Sequence, residues 1–238
     1  MRALIIYLVI SAVFIGCTPI LSIDASTQNV YHFSDTDKNI SLLDISETFG
    51  TYDGSFVLYD NNLDSWKIYD LEEATKRIPP ESTYKIYDAL LGLESGIITP
   101  EHSSMTWNGD AFPFPSWEAD QDLNSAMQNS VNWYFQAIDS QLGINRVQEF
   151  LNKIEYGNQT TSSNLDLYWS DFSLKISPLE QVTLLKKFNT NEFHLNFQNV
   201  FSVKNAIKIA STPNGNFYGK TGTGRVNGQD INLSLIHI

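Results

Sequence analysis

Ser82-Thr83-Tyr84-Lys85 leads directly into Ile86-Tyr87-Asp88-Ala89-Leu90-Leu91-Gly92-Leu93, a stretch apolar enough for a buried helix around which the rest must fold. Before it, Arg77-Ile78-Pro79-Pro80-Glu81 is a loop that stops at prolines. Ser82 and Lys85 therefore share one helical face, one turn apart. At a first turn the free backbone N–H groups and the helix dipole favour a developing anion. A lysine one turn on can serve the serine as a base once burial lowers its pKa. Ser-x-x-Lys by itself is common on helix surfaces, but three further motifs follow it in order. Ser130-Val131-Asn132 lies in the aromatic, helix-compatible stretch Asn129–Phe135, Tyr156-Gly157-Asn158 sits in a turn, and Lys220-Thr221-Gly222-Thr223-Gly224 follows a strand-like Asn216–Gly219. Singly these are a helix-surface serine, a turn and a basic strand edge; their joint occurrence in this order is not ordinary.

The set resembles the penicilloyl-serine transferases, and within them the class D β-lactamases and the extracellular sensor domains of the β-lactam sensor-transducers of Gram-positive bacteria. The resemblance runs from about Gly54 to about Asn232 and includes Glu81–Leu90, Met127–Phe135, Tyr168-Trp169 and Ser173–Gln181. It implies an α+β fold, a β-lactamase/penicillin-binding-protein-like antiparallel sheet flanked by helices, with an inserted helical subdomain and a site in the cleft between the two parts. It implies that Ser82 is the nucleophile and Lys85 its base, with the backbone N–H groups of Ser82 and Thr223 as oxyanion hole. Ser130 stands where the family relays a proton to the lactam nitrogen. Lys220 supports that relay, and Thr221, beside Gly222, binds the substrate carboxylate. Val131, Asn132 and Trp169 belong to the lysine pocket. No cofactor is implied beyond carbon dioxide, which in class D enzymes forms a carbamate on the lysine, held by the tryptophan matched here by Trp169.

Asn132 departs from the hydrolase pattern. The hydrolases carry a small apolar residue there, whereas the sensors carry a polar one that holds the lysine and discourages the carbamate. Against the sensor reading, the sequence has one short apolar segment and no His-Glu-x-x-His. On that balance the expected function is hydrolysis of β-lactam antibiotics through a serine acyl-enzyme, as in a class D serine β-lactamase. The alternative is a sensor or trapping protein that is acylated at Ser82 and deacylates slowly.

At 238 residues the chain has room for one large domain or two modest ones. Its 27 acidic against 15 basic residues argue against nucleic acid as a partner. The four histidines are scattered without ligand spacing, so no metal is expected. Residues 1–17 read as an export signal, one positive charge followed by an apolar run. Cys17, the only cysteine, excludes an intrachain disulfide, and its position after Phe14-Ile15-Gly16 resembles a bacterial lipoprotein processing site, with Phe14 where leucine is usual. This predicts an exported protein, held by lipid on the extracytoplasmic side of the membrane or secreted.

Residues 18–50 read as a polar tether, 51–232 as the domain and 233–238 as an atypical tail. Ser55–Asp60 and Ser65–Asp70 predict a hairpin around Asn61–Asp64. Helices are predicted over Asp122–Ser140 and Arg146–Ile154 and from Ser177-Pro178, with loops over 95–120 and a strand over Tyr218–Thr223. Past Asn232 the family pattern stops, so the C-terminal strands and helix are expected to be missing, leaving an unpaired edge beside Tyr218–Thr223.

Overall fold

The computed structural model describes residues 6–14, 39–213, 215–226 and 228–237. Among these, β1 (Ile6–Phe14), β2 (Ile40–Leu42), β3 (Asp53–Asp60), β4 (Ser65–Tyr69), β5 (Lys208–Thr212), β6 (Gly215–Val226) and β7 (Gln229–His237) form one sheet in the order β2-β4-β3-β1-β7-β6-β5. All neighbours are antiparallel except β2 and β4. The helices are α1 (Ser46–Phe49), α2 (Leu71–Thr75), α3 (Lys85–Glu94), α4 (Leu123–Gln128), α5 (Asn132–Leu142), α6 (Ile144–Lys153), α7 (Pro178–Thr190) and α8 (Phe197–Ala206). The fold is the α+β arrangement expected, with α2 to α8 inserted between β4 and β5.

The predicted hairpin is β3–β4, closed by Asp60, whose Oδ1 accepts from the N–H groups of Asn62 and Leu63 at 2.9 and 3.1 Å. The helix predicted from Ser177 is α7: Pro178 opens it, and Ser177 and Glu180 exchange hydrogen bonds as a capping box. The Glu180 carboxylate also takes the guanidinium of Arg77 in a fork at 2.5–3.1 Å, tying α7 to the loop before Ser82. The buried helix is α3, in which every residue from Lys85 to Leu93 is buried. Each fully buried Ile or Leu contributes about 1.5–3 kcal/mol, and Ile86, Leu90, Leu91 and Leu93 bury beside Lys85 and Asp88 in the same core.

Four expectations are corrected. The helix predicted over Asp122–Ser140 is two helices, α4 and α5, broken at Ser130, whose φ of 54° no helix tolerates. Residues 6–14, predicted as the apolar core of an export signal, are β1, paired with β3 on one side and β7 on the other. A short apolar run suits a central strand as well as a leader, and periodicity alone does not separate them. Cys17 lies outside the described residues. Of the tether predicted over 18–50, residues 40–49 are instead part of the fold, since β2 pairs with β4 and α1 buries Phe49. Finally, the edge of β6 expected to lie bare is covered by a strand: β7 pairs with it from Tyr218–His237 to Val226–Gln229. The atypical tail belongs to that strand. Ile231, Leu233 and Leu235 are buried while Asn232, Ser234 and Ile236 are partly exposed, a period of two already present in the sequence.

Candidate active site

Pro79 and Pro80 stop the chain before the α3 core, and the residues that follow do not enter α3 directly. Glu81–Tyr84 make a 3₁₀ turn, with Glu81 at φ 49° and its N–H bonded to the Trp169 carbonyl at 3.1 Å. Thr83, fully buried, anchors the turn through its Oγ1, which donates to the Pro80 carbonyl at 2.5 Å and lies 3.1 Å from the side-chain amide of Gln181 in α7. Ser82 alone in this turn remains partly exposed. One step later Lys85 begins α3, 1% exposed, between the rings of Phe135 and Trp169 at 5.7 and 5.8 Å. Its Nζ donates to Ser82 Oγ at 2.9 Å and to Asn132 Oδ1, on the first residue of α5, at 2.7 Å.

Burial, followed by the positive charge of Lys220, pulls the Lys85 ammonium down to about 7. A neutral amine has two N–H groups and one lone pair. With an N–H given to Asn132 Oδ1, the lone pair is free to take the hydroxyl proton of Ser82.

The α4–α5 break places Ser130. Val131, fully buried, bonds its N–H to the Ala126 carbonyl at 2.9 Å, and Trp117 Nε1 donates to the Asn129 carbonyl at 2.9 Å, so the chain on both sides of Ser130 is held. Positive φ at a non-glycine costs of order 1–3 kcal/mol and persists where the surroundings over-determine it. Here it aims Ser130 Oγ at Lys220 Nζ, 3.0 Å away, and Lys220 also donates to the Thr221 carbonyl at 2.8 Å. Burial lowers Lys220 to about 8. Along β6, Lys220 and Gly222 are buried while Thr221 and Thr223 face solvent. At Gly222 an added Cβ would stand 3.1 Å from Ser82 N and Pro80 O, and at Gly224 it would overlap the Glu81 carboxyl. The glycines therefore let the strand lie against the 3₁₀ turn, bringing the Thr223 segment alongside the Ser82 backbone. An open groove of about 380 Å³, lined by Lys220, Thr221, Met127 and Gln128, continues along β6 from this point. A second hollow of about 420 Å³, against Phe197, Phe201 and Lys204, is lined by none of these site residues.

The Tyr156-Gly157-Asn158 turn does not line the lysine pocket; it holds the loop that does. Asn158 donates from Nδ2 to the Ser173 carbonyl at 2.7 Å and accepts from the Lys175 N–H at 2.9 Å. Gly157, at φ 51°, comes so close that a Cβ there would collide with the Lys175 carbonyl. The segment pinned in this way carries Trp169.

Of the site residues read from the sequence, Ser82, Lys85, Asn132 and Trp169 form one cluster, and Ser130, Lys220 and Thr221 a second. Sequence reasoning passed over Glu81, buried under Gly224 with its carboxyl raised to about 7 by burial, and the buried acids Asp88 and Asp139. The signal for Asp88 was a lone charge inside the apolar run. Among the described residues there is no cluster of three potential metal ligands, and no helix is long and apolar enough to cross a membrane.

The chain matches the penicillin-binding protein transpeptidase domain over residues 52–234. It is 44% identical over 229 residues to the regulatory protein BlaR1 of Bacillus licheniformis, covering 95% of this chain but 37% of that protein, about a third of its length. The solved C-terminal domain of the Bacillus licheniformis BlaR penicillin-receptor superposes with a TM-score of 0.78 at 41% identity, covering 84% of this chain and 87% of that one. A class D β-lactamase from Bacillus subtilis superposes at 0.73 with 31% identity, covering 82% and 88%. With a site built on a turn-borne serine, a buried lysine and a glycine-relieved strand, the chain belongs to the penicillin-binding-protein transpeptidase-like family, in the branch that holds the class D β-lactamases and the BlaR1 and MecR1 proteins.

Proposed function

We propose that this chain is a β-lactam receptor domain: Ser82 opens the lactam ring and is acylated, and the acyl-enzyme then persists. The observation that carries this reading is the 2.7 Å hydrogen bond from Lys85 Nζ to Asn132 Oδ1. Acylation needs only a neutral Lys85 to take the Ser82 proton, Ser130 and Lys220 to deliver one to the departing nitrogen, and Thr221 to hold the drug's carboxylate beside Lys220. Backbone N–H groups of Ser82 and Thr223 stabilise the oxyanion. Deacylation needs a second base for water. A carbamate on Lys85 would supply one, but it would set a carboxylate beside Asn132 Oδ1, an acceptor 2.7 Å from Nζ that the free amine satisfies with an N–H. The similarity to BlaR1 and to the BlaR penicillin-receptor domain supports this order of preference. Since the chain spans 37% of BlaR1, signalling to any further segment belongs to the proposal, as does an extracytoplasmic location.

Hydrolysis, the expectation from the sequence balance, is the second reading. The burial of Lys85 beside Trp169 favours it, because desolvation keeps the amine neutral and available for a carbamate. The two separate on a chromogenic cephalosporin. A burst of one equivalent with negligible turnover, abolished in Ser82→Ala, supports the receptor; sustained turnover by the wild-type chain supports the hydrolase.

A further inference from the structure

The loop before α4 reaches the Ser130 turn through one side chain that the acylation chemistry leaves unassigned. Asn129 closes α4 at φ −89° and ψ 0°, and Ser130 follows at φ 54°. Rotation of the planar peptide between them changes that ψ and that φ together. The orientation of this one peptide therefore decides where the Ser130 side chain points. The Ser130 N–H, 3.3 Å from the Met127 carbonyl, holds it loosely. The peptide's carbonyl, on Asn129, accepts from Trp117 Nε1 at 2.9 Å. Trp117 is fixed in turn. Its own carbonyl accepts from Trp133 Nε1, on the first turn of α5, at 2.9 Å. Its ring meets those of Phe112 and Phe114 at centroid distances of 5.8 and 5.2 Å. Gln121 Nε2 ties down the turn that carries it, through the Ser116 carbonyl at 2.9 Å. Two indole N–H groups thus run in series from α5, through the loop, to the peptide before Ser130.

We propose that Trp117 is a positioning residue for proton delivery: its indole N–H, braced from α5 by Trp133, fixes the 129–130 peptide and with it the direction of the Ser130 hydroxyl. The inference rests on the reading of Ser130 as the proton donor to the lactam nitrogen. When the lactam C–N bond breaks, its electron pair stays on nitrogen, which takes the Ser130 hydroxyl proton. Ser130 Oγ recovers a proton from the Lys220 ammonium, 3.0 Å away. A hydroxyl that gives to one partner and takes from another must be aimed at both. With the indole donor gone, the peptide can rotate and bring Ser130 to negative φ, where a serine is unstrained and its hydroxyl leaves Lys220. Trp117 acts on the reaction only through Ser130.

The test is the rate of acylation by a fluorescent penicillin in wild type, Trp117→Phe, Ser130→Ala and the double variant. Trp117→Phe keeps a ring against Phe112 and Phe114 but has no N–H to donate. Its acylation should slow about tenfold, within the roughly hundredfold that misplacing a group from a distance can cost. In the Ser130→Ala background the same change should cost nothing, because no hydroxyl is left to aim. A general loosening of the fold would instead cost the same in both backgrounds. No loss in Trp117→Phe, or a loss that repeats in full without Ser130, overturns the proposal. Trp133→Phe, which frees the Trp117 carbonyl, carries the same test if Trp117→Phe does not fold: a loss that vanishes with Ser130→Ala supports the proposal, and a persistent loss or none overturns it. A second measurement needs no acylation. The carbon-13 shifts of Ser130 report its φ, left-handed in wild type and expected to leave that region in Trp117→Phe; unmoved shifts overturn the proposal. A wild-type chain that is never acylated, but whose Ser130 shifts move in the variant, contradicts the proposed function and leaves the clamp on Ser130 standing.

Discussion

At the scale of single residues, the site turns on two lysines that burial has made unlike ordinary lysines. Lys85, lowered to about 7, must be neutral to accept the Ser82 proton, so acylation rises as pH increases through about 7. Lys220, lowered to about 8, must be charged to hold a carboxylate, so acylation falls as pH passes about 8. Acylation rate against pH should therefore be a narrow bell between these values, and a flat profile across them contradicts the assignment of both roles. Asn132 is the residue expected to hold the acyl-enzyme. Asn132→Val removes the acceptor of the 2.7 Å bond and leaves an apolar wall that favours the neutral amine. Deacylation should rise at least about tenfold, ~1.4 kcal/mol in barrier, and become dependent on added bicarbonate. Equal deacylation rates in the two forms, with and without bicarbonate, would remove Asn132 from the account.

At the scale of elements, three short segments are fastened to one another: the 3₁₀ turn of Ser82, the strand β6 and the Trp169 loop. The fastening of the loop is testable at Gly157. Gly157→Ala puts a Cβ at positive φ against the Lys175 carbonyl, a backbone atom that cannot swing aside. The left-handed conformation alone costs about 1–2 kcal/mol, and a domain of this size loses about 2–4 °C in Tm per kcal/mol. The variant should melt several degrees lower by calorimetry, with Trp169 fluorescence shifted towards that of a solvated indole. An unchanged Tm would show that the turn does not pin the loop. Much of this layer was legible in the sequence. Prolines before Ser82, the Ser177–Glu180 capping box and the Asn61–Asp64 turn are local signals, and local chemistry decided them. The break at Ser130 was not legible, because Asp122–Ser140 is helix-compatible throughout and only the tertiary bonds at Asn129 and Val131 impose the positive φ. β1 was misread because an apolar run suits both a leader and a central strand. β7 was misread for a different reason: the family pattern was given more weight than the alternation Ile231, Leu233, Leu235.

At the scale of the whole molecule, the buried acids dictate how stability depends on pH. Burial raises Glu81 to about 7 and holds Asp88 and Asp139 well above ordinary carboxylates, so below these values the folded chain binds protons that the unfolded chain releases. Burial lowers His237 to about 4, which works the other way over part of the same range. Three acids outweigh one histidine, so stability should fall as pH rises from about 5 to about 6.5. Calorimetric Tm values across that interval check this, and a Tm that climbs with pH contradicts the burial of the acids. The same interior makes Lys85 a base and leaves it bound to Asn132, which is why acylation and turnover come apart in this account. Intact-protein mass spectrometry after exposure to excess penicillin measures that directly. The account predicts one drug adduct per chain, mapped to the peptide bearing Ser82 and still present hours after free drug is removed. Return of the unmodified mass within minutes, with hydrolysed drug accumulating in solution, would contradict it.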